Sequence, residues 1–110
     1  MFGIHEIDAG GLKKLLDAEK GVHLIDVRSA SEVAQGMIEG SEFMPLHTLP
    51  LRMNDLPKDK TIVFYCRTGA RSAQACMYLA QNTGIQATNL RGGIISWYQS
   101  GQKIVLPTAA

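Results

Sequence analysis

The sequence has few cysteines, almost no net charge and no basic tract. Cys66 and Cys76 are the only two cysteines, too few for a disulfide framework, and they do not form a Cys-x-x-Cys pair. The 11 basic and 10 acidic residues leave a formal charge of +1. A nucleic-acid partner normally requires a concentrated positive surface, so we expect none here.

Metal-ligand patterns, signal peptides and membrane spans are also lacking. His5, His23 and His47 stand at no metal-ligand spacing, so we expect no metal site. The first residues include Glu6 and Asp8, whereas a signal peptide has a basic start followed by an apolar core. No apolar run approaches the ~20 residues that span a bilayer. We therefore expect a cytoplasmic protein without a membrane partner.

What the sequence does contain is a regular alternation of short apolar runs and helical patterns. Its 110 residues, 45% of them hydrophobic, suffice for one domain over residues 1–110. The predicted strands are FGIHEI, VHLIDV, MIEGSEFMPL, TIVFY and QATNL. This α/β rhythm predicts a central, mostly parallel sheet of about five strands with helices on both faces.

Capping residues mark the predicted helix ends. Ser29 and Glu32 have the spacing of a capping box, and Gly84 stands where a C-cap glycine belongs. The apolar spacing predicts a helix over residues 70–81. Its predicted buried face consists of Ala73, Cys76, Met77 and Ala80. Cys76 is therefore interpreted as a core residue, and Trp97 is the expected core anchor of a last short helix.

The stretch YCRTGARS places Cys66 between the TIVFY strand and the predicted helix. Open α/β sheets bind ligands at this junction, where unpaired helix amides and a turn at Gly69 can surround an anion. Arg67 and Arg71 add positive charges that favour a thiolate. The alternative is a buried structural cysteine. A structural turn does not require two arginines beside it, so we predict that Cys66 is a nucleophile.

Four motifs, in order along nearly the whole chain, together resemble the rhodanese family, as a single-domain sulfurtransferase. They are LIDVR, EVAQGMIEGSEFMPL, IVFYCRTGARS and NLRGGIISW. The resemblance implies that Cys66 is the catalytic residue and that the loop from Cys66 to Arg71 holds the transferred sulfur. The amides that would hold it belong to Arg67, Thr68, Gly69, Ala70 and Arg71.

The resemblance also implies a reaction. Thiosulfate would donate its sulfane sulfur to Cys66, and cyanide or a thiol would accept it from the resulting persulfide. No cofactor beyond this covalent intermediate is expected. A small sulfur-carrier protein is a further expected partner, and the size of the domain favours a monomer.

Two other functions remain as alternatives. Phosphatases and arsenate reductases that share the fold have one more residue between cysteine and arginine than the four present here. The shorter loop suits a sulfur atom better than a tetrahedral phosphate. The other alternative is a non-catalytic interaction module, but such modules usually lack the cysteine that this chain keeps.

Four more residues are candidate supports of the loop. Asp26 and Arg28 either form a structural ion pair, in which Arg28 reaches Glu32 or another carboxylate, or they fix the loop; we favour the ion pair. Ser72 either donates its hydroxyl to the sulfur or caps the helix. Arg91 resembles a family position near the site rim, although a surface arginine is the commoner outcome.

The sequence assigns no single role to Met37 or to Arg52. Met37 stands where the family often has histidine. This difference bears on contacts with the acceptor or on local packing, rather than on the chemistry of the nucleophile. Arg52 either binds the donor or belongs to a solvated face, and we favour the solvated face.

Overall fold

Five parallel strands form one sheet in a computed structural model of the protein, which describes residues 4–18 and 21–107. The strands are β1 (His5–Ile7), β2 (Val22–Asp26), β3 (Glu42–Phe43), β4 (Thr61–Tyr65) and β5 (Thr88–Leu90). Their order in the sheet is β1-β5-β4-β2-β3, and all neighbouring pairs are parallel. The predicted sheet is confirmed, although the first residues of FGIHEI lie outside the described ranges.

Helices lie between the strands and after the last one. They are α1 (Ala9–Ala18), α2 (Ala30–Ala34), α3 (Leu49–Arg52), α4 (Ala70–Thr83) and α5 (Gly93–Gln99). The predicted capping box at α2 is present, since the Ser29 and Glu32 side chains each accept the other residue's backbone N–H. Gly84 ends α4 in the left-handed conformation, as predicted. Within the described residues, no helix has both the length and the apolar character needed to cross a membrane.

Each face of the sheet carries its own hydrophobic cluster, because successive strand residues point to opposite faces. In β4, Ile62 and Phe64 pack with residues of α3 and α4, whereas Val63 and Tyr65 pack with residues of α1 and α5. Trp97 of α5 is buried in the second cluster, and its indole N–H donates to a main-chain carbonyl. Helices therefore cover both faces, and the predicted role of Trp97 is confirmed.

The buried face of α4 differs from the prediction. Its buried residues are Ser72, Ala75, Cys76 and Leu79. Of the four predicted positions only Cys76 is buried, and Met77 is 46% exposed. The prediction selects apolar side chains, whereas the helix is oriented so that polar Ser72 faces inward beside Cys66. The apolar members of the buried face, Ala75, Cys76 and Leu79, stand at helical spacings from Ser72, so the prediction chose a neighbouring face of the same helix.

Candidate active site

The loop from Cys66 to Arg71 lies at the carboxyl edge of the sheet, between β4 and α4. Gly69 is the N-cap of α4 and has a φ of +112°, a backbone conformation that favours glycine. The turn brings the Gly69 N–H to within 3.1 Å of Cys66 Sγ, to which it donates a hydrogen bond. The buried sulfur therefore lies at a helix N-terminus, where unpaired amides favour negative charge, as predicted.

The environment of Cys66 favours its ionised form. Burial alone would raise the pKa of this thiol. The Ser72 hydroxyl, 3.4 Å from Sγ, and the amides of Ser72, Gly69 and Thr68 outweigh burial, so the pKa lies below its ordinary value. Burial raises the pKa of Cys76 to about 12, and the charge of Glu6 adds to this effect. Cys76 is a core residue, as predicted, and of the two thiols Cys66 is the one whose surroundings favour the thiolate.

The loop arginines are placed differently from each other. Arg71 forms a bidentate ion pair with Glu32, with N–O distances of 2.7 and 2.8 Å. The hydrogen bond to Glu32 is the main cause that raises the pKa of Arg71, and the charge of Cys66 acts in the same direction more weakly. Arg67 is exposed. Hydrogen bonds from Ser72 and the loop amides, rather than the two guanidinium charges, are thus the leading causes of the lowered thiol pKa.

Glu32 links α2 to the Cys66 loop. Its carboxylate completes the capping box with Ser29 and also accepts both hydrogen bonds from Arg71. The bond from Arg71, followed by the bonds from Ser29, outweighs burial and lowers the pKa of Glu32 to about 2. The sequence indicates the capping box and offers Glu32 as a partner for Arg28, but it does not indicate Arg71, which lies 39 residues further along the chain.

We expect this pair to make stability depend on acid pH. The pKa of Glu32, about 2 in the folded protein, is below its ordinary value of 4.5, so its stabilising effect is complete above about pH 5 and disappears as the pH falls through about 2. Urea unfolding should therefore show that Glu32→Gln is less stable than the wild type at pH 7, with the difference shrinking towards pH 2. Glu39→Gln, at an exposed position, is the control. A difference that stays constant over this pH range would contradict the expectation.

A buried ion pair lies beside the loop, at the end of β2. The Arg28 guanidinium donates to Asp26 at 2.7 Å and to the Gly36 carbonyl oxygen at 2.6 Å. Both side chains of the pair are buried, and the guanidinium lies 5.8 Å from the centroid of the Tyr65 ring. The favoured interpretation, a structural ion pair, is present, with Asp26 rather than Glu32 as its carboxylate.

The start of α5 contacts the main chain of the Cys66 loop. The N–H of Ile94 donates to the Cys66 carbonyl oxygen at 2.9 Å, and the N–H of Ile95 donates to the Arg67 carbonyl oxygen at 3.3 Å. With these carbonyls bonded to α5, the N–H groups of the loop can face the sulfur. The sequence does not predict this contact directly. The Gly92-Gly93 pair in NLRGGIISW is the signal that points to it, because glycine permits close approach of two backbones.

The remaining candidates, Arg91, Arg52 and Met37, each have a contact of another kind. Arg91 is a surface residue, 63% exposed, and its closest carboxylate contact is Asp8 at 3.8 Å. Arg52 pairs with Glu42 on a partly exposed surface, in line with the favoured interpretation. Met37 is partly buried, and its main chain forms an antiparallel bridge with Val105.

A cleft of about 570 Å³ opens beside the loop. Its walls are formed by Arg28, Glu32, Gln35, Gly36, Arg67, Ile94, Ile95, Tyr98, Gln99 and Ile104. Three isoleucines and a tyrosine make much of this lining apolar. Arg28 and Glu32 are paired with Asp26 and Arg71, whereas Arg67 brings a positive charge to the cleft next to Cys66.

Comparison with known proteins gives consistent matches along this chain. The family model for the rhodanese-like domain matches residues 8–100. A sulfurtransferase from Allochromatium vinosum is 47% identical over 104 residues, which cover 94% of this chain and 97% of the relative.

Two solved structures are also similar. A rhodanese-related protein from Thermoplasma volcanium has a TM-score of 0.85 and 31% identity, covering 94% of this chain and 99% of that one. A rhodanese-like domain protein from Staphylococcus aureus has a TM-score of 0.84 and 32% identity, covering 96% and 100%.

Proposed function

This chain belongs to the rhodanese-like family, and we propose that it is a sulfurtransferase whose catalytic residue is Cys66. The observation that carries the proposal is the buried Cys66 sulfur at the start of α4, where the Gly69 amide lies 3.1 Å away and the thiol pKa is lowered. A thiolate in such a place is a ready nucleophile. The amides that stabilise it can also stabilise the charge of a bound persulfide.

The first half-reaction transfers sulfur to Cys66. The thiolate attacks the outer sulfur of thiosulfate, the sulfur–sulfur bond of the donor breaks, and sulfite leaves with the bonding electrons. Cys66 then carries a persulfide whose negative terminal sulfur is held by loop amides such as those of Thr68 and Gly69. Arg67, exposed beside the cleft, attracts the dianionic donor, while Arg71 is engaged by Glu32.

The second half-reaction passes the sulfur to an acceptor that enters through the cleft. Cyanide or a thiolate attacks the terminal sulfur, and Cys66 leaves as the thiolate, ready for another cycle. Two half-reactions through a covalent intermediate give ping-pong kinetics. The apolar lining from Ile94, Ile95 and Tyr98 suits a thiol on an apolar carrier or the tail of a small sulfur-carrier protein.

The proposal is tested by mass spectrometry of the protein after incubation with thiosulfate. We expect a gain of one sulfur atom on Cys66, reversed by cyanide or dithiothreitol and absent in Cys66→Ser. Cys76→Ser is the matched control and should still gain the sulfur. No adduct, together with no thiocyanate from thiosulfate and cyanide, would reject the proposal. Hydrolysis of an aryl phosphate that is lost in Cys66→Ser would instead support the phosphatase alternative.

Arg67→Ala should weaken donor binding through the loss of one exposed charge. We expect the KM for thiosulfate to rise by about threefold to tenfold at low ionic strength and by less in high salt, because salt screens exposed charges. Arg67→Lys keeps the charge and should retain most of the wild-type KM. A KM that is unchanged in Arg67→Ala at low salt would show that Arg67 does not attract the donor.

A further inference from the structure

Cys66 belongs to a buried hydrogen-bond network with Ser72 and Asn89. Ser72 Oγ lies 3.4 Å from Cys66 Sγ and 2.5 Å from Asn89 Oδ1. Ser72 and Asn89 are both almost completely buried. The Asn89 amide nitrogen also donates to the Glu6 carboxylate at 3.1 Å and to the Gly69 carbonyl oxygen at 3.2 Å.

The chemistry of these groups decides the direction of the hydrogen bonds. A carboxylate and a carbonyl oxygen can only accept, so the amide nitrogen of Asn89 faces Glu6 and Gly69, and its oxygen faces Ser72. An amide oxygen also only accepts, so Ser72 is the donor. A serine hydroxyl has one hydrogen. While that hydrogen is bonded to Asn89, Ser72 offers the sulfur only lone pairs, which suit an S–H group and not a thiolate.

We propose that Asn89 is a positioning residue that competes with the Cys66 sulfur for the single hydrogen of the Ser72 hydroxyl. In the thiol form, Cys66 donates its S–H to Ser72 Oγ, and Ser72 donates to Asn89. When the thiol gives its proton to water, the hydroxyl turns to the thiolate and the buried oxygen of Asn89 loses its donor. A buried acceptor without a donor is unfavourable. Asn89 therefore restrains the ionisation that Ser72 supports.

The competition also bears on the loaded enzyme, a consequence that rests on the proposed sulfurtransferase function. In the persulfide, Sγ is bonded to a second sulfur and the negative charge resides on that terminal atom. Ser72 can then return its hydrogen to Asn89. The network thereby favours the sulfur-loaded form of Cys66 over the free thiolate.

The test follows the alkylation of Cys66 by iodoacetamide as a function of pH, in the full chain without any sulfur donor. It compares the wild type with Ser72→Ala, Asn89→Leu and the double variant, and peptide mass spectrometry verifies the modified residue. Leucine has the same number and branching of side-chain heavy atoms as asparagine and has no hydrogen-bonding side-chain atoms. The nearby charged groups Glu6, Glu32, Arg71, Asp26 and Arg28 are present in all four proteins. Asn89→Leu also removes the hydrogen bond to Glu6, but it does so in both Ser72 backgrounds, so this effect cancels when the two backgrounds are compared.

The expected shifts of the alkylation midpoint have opposite signs. Ser72→Ala should raise the midpoint, because the thiolate loses a donor. Asn89→Leu should lower it and should increase the alkylation rate about fivefold at a pH well below the midpoint, the size expected for one hydrogen bond. In the Ser72→Ala background, Asn89→Leu should no longer lower the midpoint, since there is no hydroxyl left to release.

A midpoint that rises in Asn89→Leu, or that shifts equally in both backgrounds, would overturn the proposal and leave Asn89 as a support of the Gly69 turn. If circular dichroism shows that Asn89→Leu is unfolded, Asn89→Ala is compared in the same two backgrounds with the same expected signs. The sulfurtransferase proposal is judged separately, by the sulfur adduct on Cys66. If neither the adduct nor thiocyanate forms but the midpoints shift as expected, the sulfurtransferase function is rejected and the proposal for Asn89 is retained.

Discussion

Gly93→Ala is expected to destabilise the protein by about 3 kcal/mol or more and to disrupt the Cys66 loop. An added Cβ would lie 2.3 Å from the Arg67 carbonyl oxygen and 2.6 Å from that of Cys66. Both are main-chain atoms of the loop and cannot rotate away as a side chain can. Gly93 also has a φ of +62°, which adds backbone strain for alanine. The start of α5 would have to separate from the loop that it holds.

Gly101→Ala is the matched control for this substitution. Gly101 has a φ of +89°, yet an added Cβ there would meet no atom within 4 Å. Backbone strain is therefore the only expected cost of Gly101→Ala, and we expect the free energy of unfolding to fall by about 1 kcal/mol. Urea unfolding measures both variants, and alkylation of Cys66 reports on the loop. Equal losses of stability, or normal reactivity of Cys66 in Gly93→Ala, would contradict the expectation that close contact with the start of α5 holds the loop in place.

Arg28→Met is expected to cost about 3–5 kcal/mol of stability. The substitution leaves the Asp26 carboxylate, 0% exposed, without its guanidinium partner and also removes the donor to the Gly36 carbonyl oxygen. A buried charge without a partner is strongly unfavourable. Replacing both partners, as in Asp26→Leu with Arg28→Met, should recover much of the loss, because no unpaired charge then remains.

Arg52→Met provides the comparison on the surface. Arg52 and Glu42 form a pair whose side chains are 42% and 37% exposed. Water and salt weaken such a pair, so its loss should change stability by about 1 kcal/mol or less. Urea unfolding at pH 7 ranks the three variants. If Arg28→Met is no less stable than Arg52→Met, the buried pair does not stabilise the structure beside the loop.

The fold is largely predictable from local patterns. The TIVFY run, the capping box at Ser29 and the glycine at residue 84 each act through neighbours in sequence, and each is found as predicted. The contacts of the Ser72 hydroxyl on the buried face of α4 are not predictable in this way. This hydroxyl lies against Cys66 and Asn89, and Asn89 lies on another element, 17 residues away.

For the candidate site, the sequence by itself determined that Cys66 follows a buried strand and precedes a helix, because the apolar run, Gly69 and the helical spacing are all local to that stretch. Only the tertiary structure decided what surrounds the sulfur. Glu32 engages Arg71, α5 holds the carbonyls of the loop, and Asn89 takes the hydrogen of Ser72. Each of these contacts joins residues far apart in the chain, and the physical reason is that hydrogen bonds depend on distances and directions that exist only once the elements have packed together.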